Sequence, residues 1–351
     1  MCLHALKKMK LGFIGAGKVA QAMAQGIINA GEITAKNIIA SAPRSKIDNI
    51  FLEHIAKNGI KTTHSNSEVV KFADIVILAV KPNVMPIILP EIAPEVSKKN
   101  LILSFALGVT LRNIEKALPM HTRVARVMPN IAMHIGQGTS VYCLGNSVRP
   151  TDPKLIRNLM GAVGYVEELQ DESLMDCVTA LSGSGPAYCF MILESLVDGA
   201  VMMGMSRAQA MRLAANTLIG AAAMCLKGNY ENGSMGSLKG DVCSPGGCTA
   251  RSVFVLEKMG LRAALIAAVE ASTLRSKEIY KESLGRPGYM MDSNDNQSYS
   301  SRSSLLDVGE EAENEFKAEA INADGENSLR TRNKEPALLP VYSVPDHFNR
   351  A

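Results

Sequence analysis

Short apolar runs and amphipathic stretches alternate over the first 130 residues. LGFIG (11–15), NIIASA (37–42), DIVILAV (74–80), NLILSFA (100–106) and TRVARVM (122–128) are rich in β-branched residues. Between them lie stretches of helical spacing, such as 18–30 and 44–58. Continuous apolar strands alternating with amphipathic helices predict a parallel α/β sheet. From about residue 150 the pattern changes. Segments 172–181, 186–204, 206–227 and 250–282 are rich in Ala, Leu and Met and predict helices, hence an all-α second domain. Between the first two, LSGSGPAY (181–188) holds two Gly and a Pro, which predicts a turn, with Ser182 and Ser184 capping the long helix that follows. From about 286 the chain is polar and low in complexity (MDSNDNQSYSSRSS), then acidic (GEEAENEFKAEA). A segment with so little apolar periodicity cannot offset its ordering entropy by burial, so a mostly disordered tail is expected, with room for a short helix near 308–320.

Composition narrows the class. The chain has 351 residues, 47% apolar and 20% charged, enough for two domains with sizeable cores. Its net charge of +3 conceals an asymmetry: residues 292–351 hold twelve acids and six bases, leaving a basic body suited to an anionic ligand. Basic runs interleaved with aromatics are missing, so nucleic acid is not an expected partner. The most apolar long stretch, 189–227, is broken by Glu194, Asp198, Arg207 and Arg212, as in a buried or interface helix pair, so no membrane span is expected. The leading MCLHALKKMK is basic but lacks the apolar core of a secretory signal and is short for a transit peptide; the patterned chain begins at Met9. Seven cysteines without a CxxC pair fit a reducing compartment and neither a disulfide framework nor a metal site. The expected location is cytoplasmic, with the mitochondrion as the alternative.

GFIGAGKVA (12–20) follows the first strand and opens the first helix. It is a Gly-x-Gly-x-x-Ala dinucleotide fingerprint. Gly15 permits the tight turn, Gly17 lets the backbone approach a pyrophosphate, and Ala20 lets helix pack on strand. Ile14, Gly15, Ala16, Gly17, Lys18 and Val19 are therefore candidate cofactor-binding residues. An acid at the end of the second strand would hold the adenosine 2′-hydroxyl of NAD. Here ASAPRSK (40–46) offers none, and Ser41 and Arg44 would instead receive a 2′-phosphate, so NADPH is the first expectation and NADH the second. Ala79, Val80, Lys81 and Pro82 end the fourth strand, and Asn66, Ala106 and Gly108 fall at strand ends on the same side, where cofactor and substrate should meet.

GFIGAGKVA, AVKP (79–82), RVMPN (126–130), LSGSGPAY and SPGGCT (244–249), in this order and spacing, resemble pyrroline-5-carboxylate reductase over roughly residues 9–282. The resemblance implies a Rossmann-like domain (9–165), an all-helical dimerisation and substrate domain (166–285) and the tail (286–351). It also implies a homodimer or higher homo-oligomer, and pyrroline-5-carboxylate as substrate, reduced to L-proline by hydride transfer. In SPGGCT a Gly-rich turn at a helix start exposes amides suited to a carboxylate. The substrate-binding candidates are Ser244, Gly246, Gly247, Cys248 and Thr249. By resemblance, the Thr249 hydroxyl meets the ring nitrogen and is the catalytic candidate, and Asp241 lies near the cofactor. The chain departs from the family at Asn130-Ile131-Ala132, where Asn-Thr-Pro is usual, and in the loop 229–241, with Gly240 in place of Asp. His54, His64, His121 and His134 have no triad spacing and read as ordinary surface or loop histidines. Two rival readings are a β-hydroxyacid-type dehydrogenase and a non-catalytic NADP-sensing scaffold. The first needs a Lys general acid that 174–200 lacks.

Overall fold

Each apolar run of the first half becomes a strand, and the computed structural model describes residues 6–227 and 235–284. The strands are β1 (Leu11–Ile14), β2 (Ile38–Ser41), β3 (Lys61–Thr63), β4 (Ile75–Leu78), β5 (Leu101–Ser104), β6 (Arg123–Met128), β7 (Gly138–Leu144) and β8 (Gly164–Glu168). They form one sheet in the order β3-β2-β1-β4-β5-β6-β7-β8, parallel throughout except between β6 and β7. Strand β3 carries Lys and two Thr, and β8 runs GYVEE, so neither has the continuous apolar signature of a central strand. The sheet ends at Glu168, so the expected domain boundary at 165 falls inside its last strand.

Alternation along the strands feeds two cores. Phe13, Ile75, Ile77, Leu101 and Leu103 face one, under helices α1 (Lys18–Asn29), α2 (Lys46–Ala56) and α6 (Asp152–Gly161). Ile14, Val76, Leu78 and Ile102 face the other, under α3 (Asn66–Phe72), α4 (Met85–Ile92) and α5 (Leu111–Ala117). A sheet buried on both faces explains why its central strands read as unbroken apolar runs. Leu6, before Met9, is also buried in the first core.

The second half is helical: α7 (Met175–Val178), α8 (Gly185–Met202), α9 (Arg207–Lys227), α10 (Met235–Val242), α11 (Cys248–Lys258) and α12 (Leu261–Leu284). Three expectations change. The 181–188 stretch is no turn: Thr179–Gly183 is a π-helical segment that runs on into α8. Ser184 occupies the position before α8 with helical dihedrals and no side-chain cap bond, and its hydroxyl meets that of Ser272 at 3.1 Å. The Ser182 hydroxyl donates backward to the Val178 carbonyl. The single helix expected over 250–282 is two, broken where Gly260 takes φ +76°, a left-handed turn that ends a helix. Part of the loop 229–241 is helix α10; its remainder, like the tail 286–351 and its expected short helix, lies outside the described residues.

Arg126 on β6 joins the halves. Nearly buried, it pairs with Glu172 at 3.0 Å, and Asp176, at 4.0 Å, accepts from Ser276 of α12. Glu172 also accepts from the Leu111 amide at the start of α5. Burial, then the Glu172 carboxylate, push the neighbouring Cys143 thiol up to about 12, so it is a packing group rather than a nucleophile. Within the helical run Glu172–Met202 an 18-residue window has a mean hydropathy of 1.2, long and apolar enough to cross a membrane by length and composition only. The first residues of the run are held by ion pairs to the sheet.

Candidate active site

The register brings the cofactor candidates together. Ile14 lies beside Ser41 on one side and Leu78 on the other, so β1, β2 and β4 end level. The Gly15 amide donates to the Ser41 carbonyl (2.9 Å) and the Ala79 amide to the Ile14 carbonyl (2.8 Å). Gly15 has φ +102°, and a Cβ there would stand 2.5 Å from the Ala79 carbonyl oxygen, so any larger residue forces the strand ends apart. A Cβ on Gly17 would meet nothing, because it faces open space at the start of α1, where Lys18 and Val19 are exposed. Tight backbone behind and open space before the first-turn amides is the cradle a pyrophosphate needs. The residues present fit a dinucleotide.

Around this cradle, Lys81 and Pro82 follow β4, and Ala106 and Gly108 follow β5. Arg44 is exposed, one residue before Ser45, whose hydroxyl caps α2 by accepting from the Asp48 amide. The Ser41 hydroxyl donates to the Asn66 side-chain oxygen at 2.7 Å. The Asn66 amide donates to both oxygens of Glu91, at 3.1 and 3.0 Å. Glu91, from α4, escaped the sequence reading because nothing in its spacing relates it to the end of β2.

A cleft of about 1020 Å3 lies beside the start of α1. Lys18, His54, Lys57 and His134 line it, with no acid among the described residues, together with Asn130 and Phe190. Asn130 organises its floor: its side chain accepts from the Ala132 (3.2 Å) and Thr139 (3.1 Å) amides and donates to the Ser182 carbonyl (3.1 Å). The π segment thus packs on the end of β6 instead of forming a separate loop. His54 and His134 stand in this cleft, and His64 bonds the Ala42 carbonyl, while His121 alone among the described non-glycine residues has positive φ.

The substrate candidates sit elsewhere in this chain. Gly246 has φ +69°, and Gly247 precedes α11 with its Cα against the Ser244 hydroxyl, where a Cβ would collide. Cys248 and Thr249 open α11, whose first amides have no carbonyl of their own helix to bond. Ser244, Gly246 and Cys248 are exposed, Thr249 half-buried, and Asp241 exposed at the end of α10. None of them lines the cleft beside α1.

Residues 172–279 match the family model of pyrroline-5-carboxylate reductase dimerisation, and residues 10–108 that of NADP oxidoreductase, coenzyme F420-dependent. Pyrroline-5-carboxylate reductase 2 of Bos taurus is 43% identical over 274 residues, 77% of this chain and 84% of that protein. The pyrroline-5-carboxylate reductase of Methanosarcina acetivorans is 42% identical over 278 residues, 79% of this chain and 100% of its relative. Among solved structures, the Plasmodium falciparum pyrroline carboxylate reductase with NADP bound superposes with a TM-score of 0.70 at 32% identity, over 78% of this chain and 99% of that one. The Coxiella burnetii pyrroline-5-carboxylate reductase gives 0.66 at 34%, over 77% and 98%.

Proposed function

The chain belongs to the pyrroline-5-carboxylate reductase family and reduces 1-pyrroline-5-carboxylate to L-proline with NAD(P)H, and we propose that the Gly15–Val19 cradle and the Ser244–Thr249 helix start divide that work. The β-hydroxyacid and scaffold readings are not favoured. The observation that carries the division is geometric: two helix starts with open amides, one on the sheet and one on the helical half.

A dinucleotide held by Gly15–Val19 would supply the hydride that reduces C5 of the substrate in its protonated, iminium form, so that the C=N pair comes to rest on a nitrogen that already carries its proton. The protein's residues orient and exclude. The Gly247 amide donates to the Ser244 carbonyl and closes the turn, so the amides of Cys248 and Thr249 hold the substrate carboxylate, and the Thr249 hydroxyl aligns the ring nitrogen. An iminium is already electrophilic, so no strong general acid is required, in keeping with histidines that have no catalytic partner. Orientation of this kind can lower a barrier by about 7–11 kcal/mol. Ile14, Ala16, Ser41, Arg44, Asn66, Ala79, Val80, Lys81, Pro82, Ala106 and Gly108 complete the cofactor groove, with Asp241 reaching it from the helical half. Arg44 favours NADPH.

The two sites do not line one cleft within a chain. A homodimer, or a higher homo-oligomer built from it, brings the helical half of one copy to the sheet of another. The matched dimerisation region supports this, as do the exposed apolar side chains of α8 to α12. A cytoplasmic location fits the free cysteines. Proline formation coupled to NADPH oxidation by the purified protein tests the reading; cofactor binding without turnover of pyrroline-5-carboxylate would overturn it.

A further inference from the structure

Two cysteines bracket the turn that presents the substrate amides. Cys243 follows α10, its amide donating to the Gly240 carbonyl at 2.9 Å, and Cys248 is the first residue of α11. Between them the Gly247 amide donates to the Ser244 carbonyl at 3.0 Å, and Gly246 takes φ +69° after Pro245. Pro then Gly at the two central positions is what a type II turn demands, and such a turn reverses the chain, with its first and last Cα atoms less than about 7 Å apart. Cys243 and Cys248 are the residues immediately outside it, so they leave its two ends as neighbours. A disulfide spans Cα atoms about 4.4–6.8 Å apart. Both thiols are free; Cys248 is exposed and Cys243 half-buried, whereas Cys143 is sealed in the core. In a reducing compartment, a disulfide that does form is a transient, redox-sensing one.

We propose that Cys243 and Cys248 are a reversible modification site, joined by exchange with a small disulfide, and that the bridge disables the substrate turn. The exposed Cys248 thiolate attacks one sulfur of the small disulfide, forming a mixed disulfide and expelling a thiolate. The Cys243 thiolate then attacks the Cys248 Sγ and expels the second. Two protein thiols are oxidised, one disulfide is reduced to two thiols, and the two protein protons pass to the departing thiolates. The bridge ties the first residue of α11 to the end of α10. It thereby moves the Cys248 and Thr249 amides and the Thr249 hydroxyl, while the Gly15–Val19 cradle on the sheet is untouched. The effect on activity rests on the reading that Ser244–Thr249 holds the substrate; formation of the bridge does not.

The test treats the full chain with oxidised glutathione, blocks the remaining thiols with iodoacetamide and maps the peptides by mass. A peptide carrying an internal Cys243–Cys248 bridge, lighter by a pair of hydrogens, is expected. As the bridged fraction grows, kcat/KM for pyrroline-5-carboxylate should fall about five-fold or more, because orientation is lost, with NADPH affinity unchanged and dithiothreitol restoring the activity. Cys243→Ser, which lies outside the assigned substrate contacts, should match the wild type when reduced. Oxidised, it should form no bridge and trap glutathione on Cys248. Glutathione on both cysteines of the wild type without a bridge overturns the proposal, and so does a bridge that leaves kcat/KM unmoved. Loss of activity in step with modification of Cys189 or Cys177 instead of the bridge also overturns it. Failure of the reduced wild type to turn over pyrroline-5-carboxylate would remove the substrate reading, a result distinct from these because the peptide map still decides whether the bridge forms.

Discussion

Arg44 and Thr249 are each asked to make one contact, which makes them separable by substitution. Arg44 is exposed and bonds through a charged fork, a geometry matched to phosphate. Arg44→Ala should raise the KM for NADPH about five- to ten-fold, consistent with loss of a solvent-screened, charge-assisted contact, and leave that for NADH nearly unchanged. Equal effects on both would take Arg44 out of this role. Thr249 opens a helix, and backbone amides survive a side-chain change. Thr249→Ala should therefore fold and bind NADPH normally while losing one neutral hydrogen bond and the alignment it enforces. A fall of about ten-fold or more in kcat/KM for pyrroline-5-carboxylate is expected. Thr249→Ser should recover most of it. Wild-type kinetics in the Ala variant would reduce Thr249 to a helix start.

At the scale of elements, the π segment Thr179–Gly183 is held by Asn130 rather than by its own sequence. A π turn leaves backbone groups out of the regular ladder, and segments of this kind persist where tertiary contacts over-determine them. Asn130 makes three such contacts, two to the turn Ile131–Ile135 and β7 and one to Ser182. Asn130→Ala should cost about 1–3 kcal/mol and lower Tm by several degrees, read by thermal unfolding. Because Asn130 also lines the cleft beside α1, activity should fall more than cofactor binding does. An unaltered Tm would mean that the segment holds its shape without Asn130.

For the whole molecule, the helical half is an apolar surface in search of a partner. Val197 is the buried residue of α8, while Phe190 is 63% exposed, Met202 85% and Phe254 67%. Exposed apolar area on this scale marks an interface. The same apolarity lets Glu172–Met202 pass for a membrane span by composition, although Arg126 ties its first turns to the sheet. Deleting 286–351 should leave a species of at least two protomers in light scattering, with activity retained. A monomeric, inactive truncation would assign assembly to the tail instead.

The alternating runs determined the sheet, and the Gly15–Ala20 fingerprint its first turn, because backbone geometry at those glycines is a local demand. SPGGCT announced a helix start for the same reason. Tertiary structure alone decided the rest. Strand β3 pairs through its backbone and needs no apolar face. The SGSGP stretch reads as a turn by propensity, and becomes a continued helix because Asn130 and Ser272 receive it. Glu91 reaches Ser41 through Asn66, across 50 residues of chain, and no periodicity connects them. Local propensity encodes elements, whereas side chains that meet across the strand ends acquire their partners only when the sheet closes.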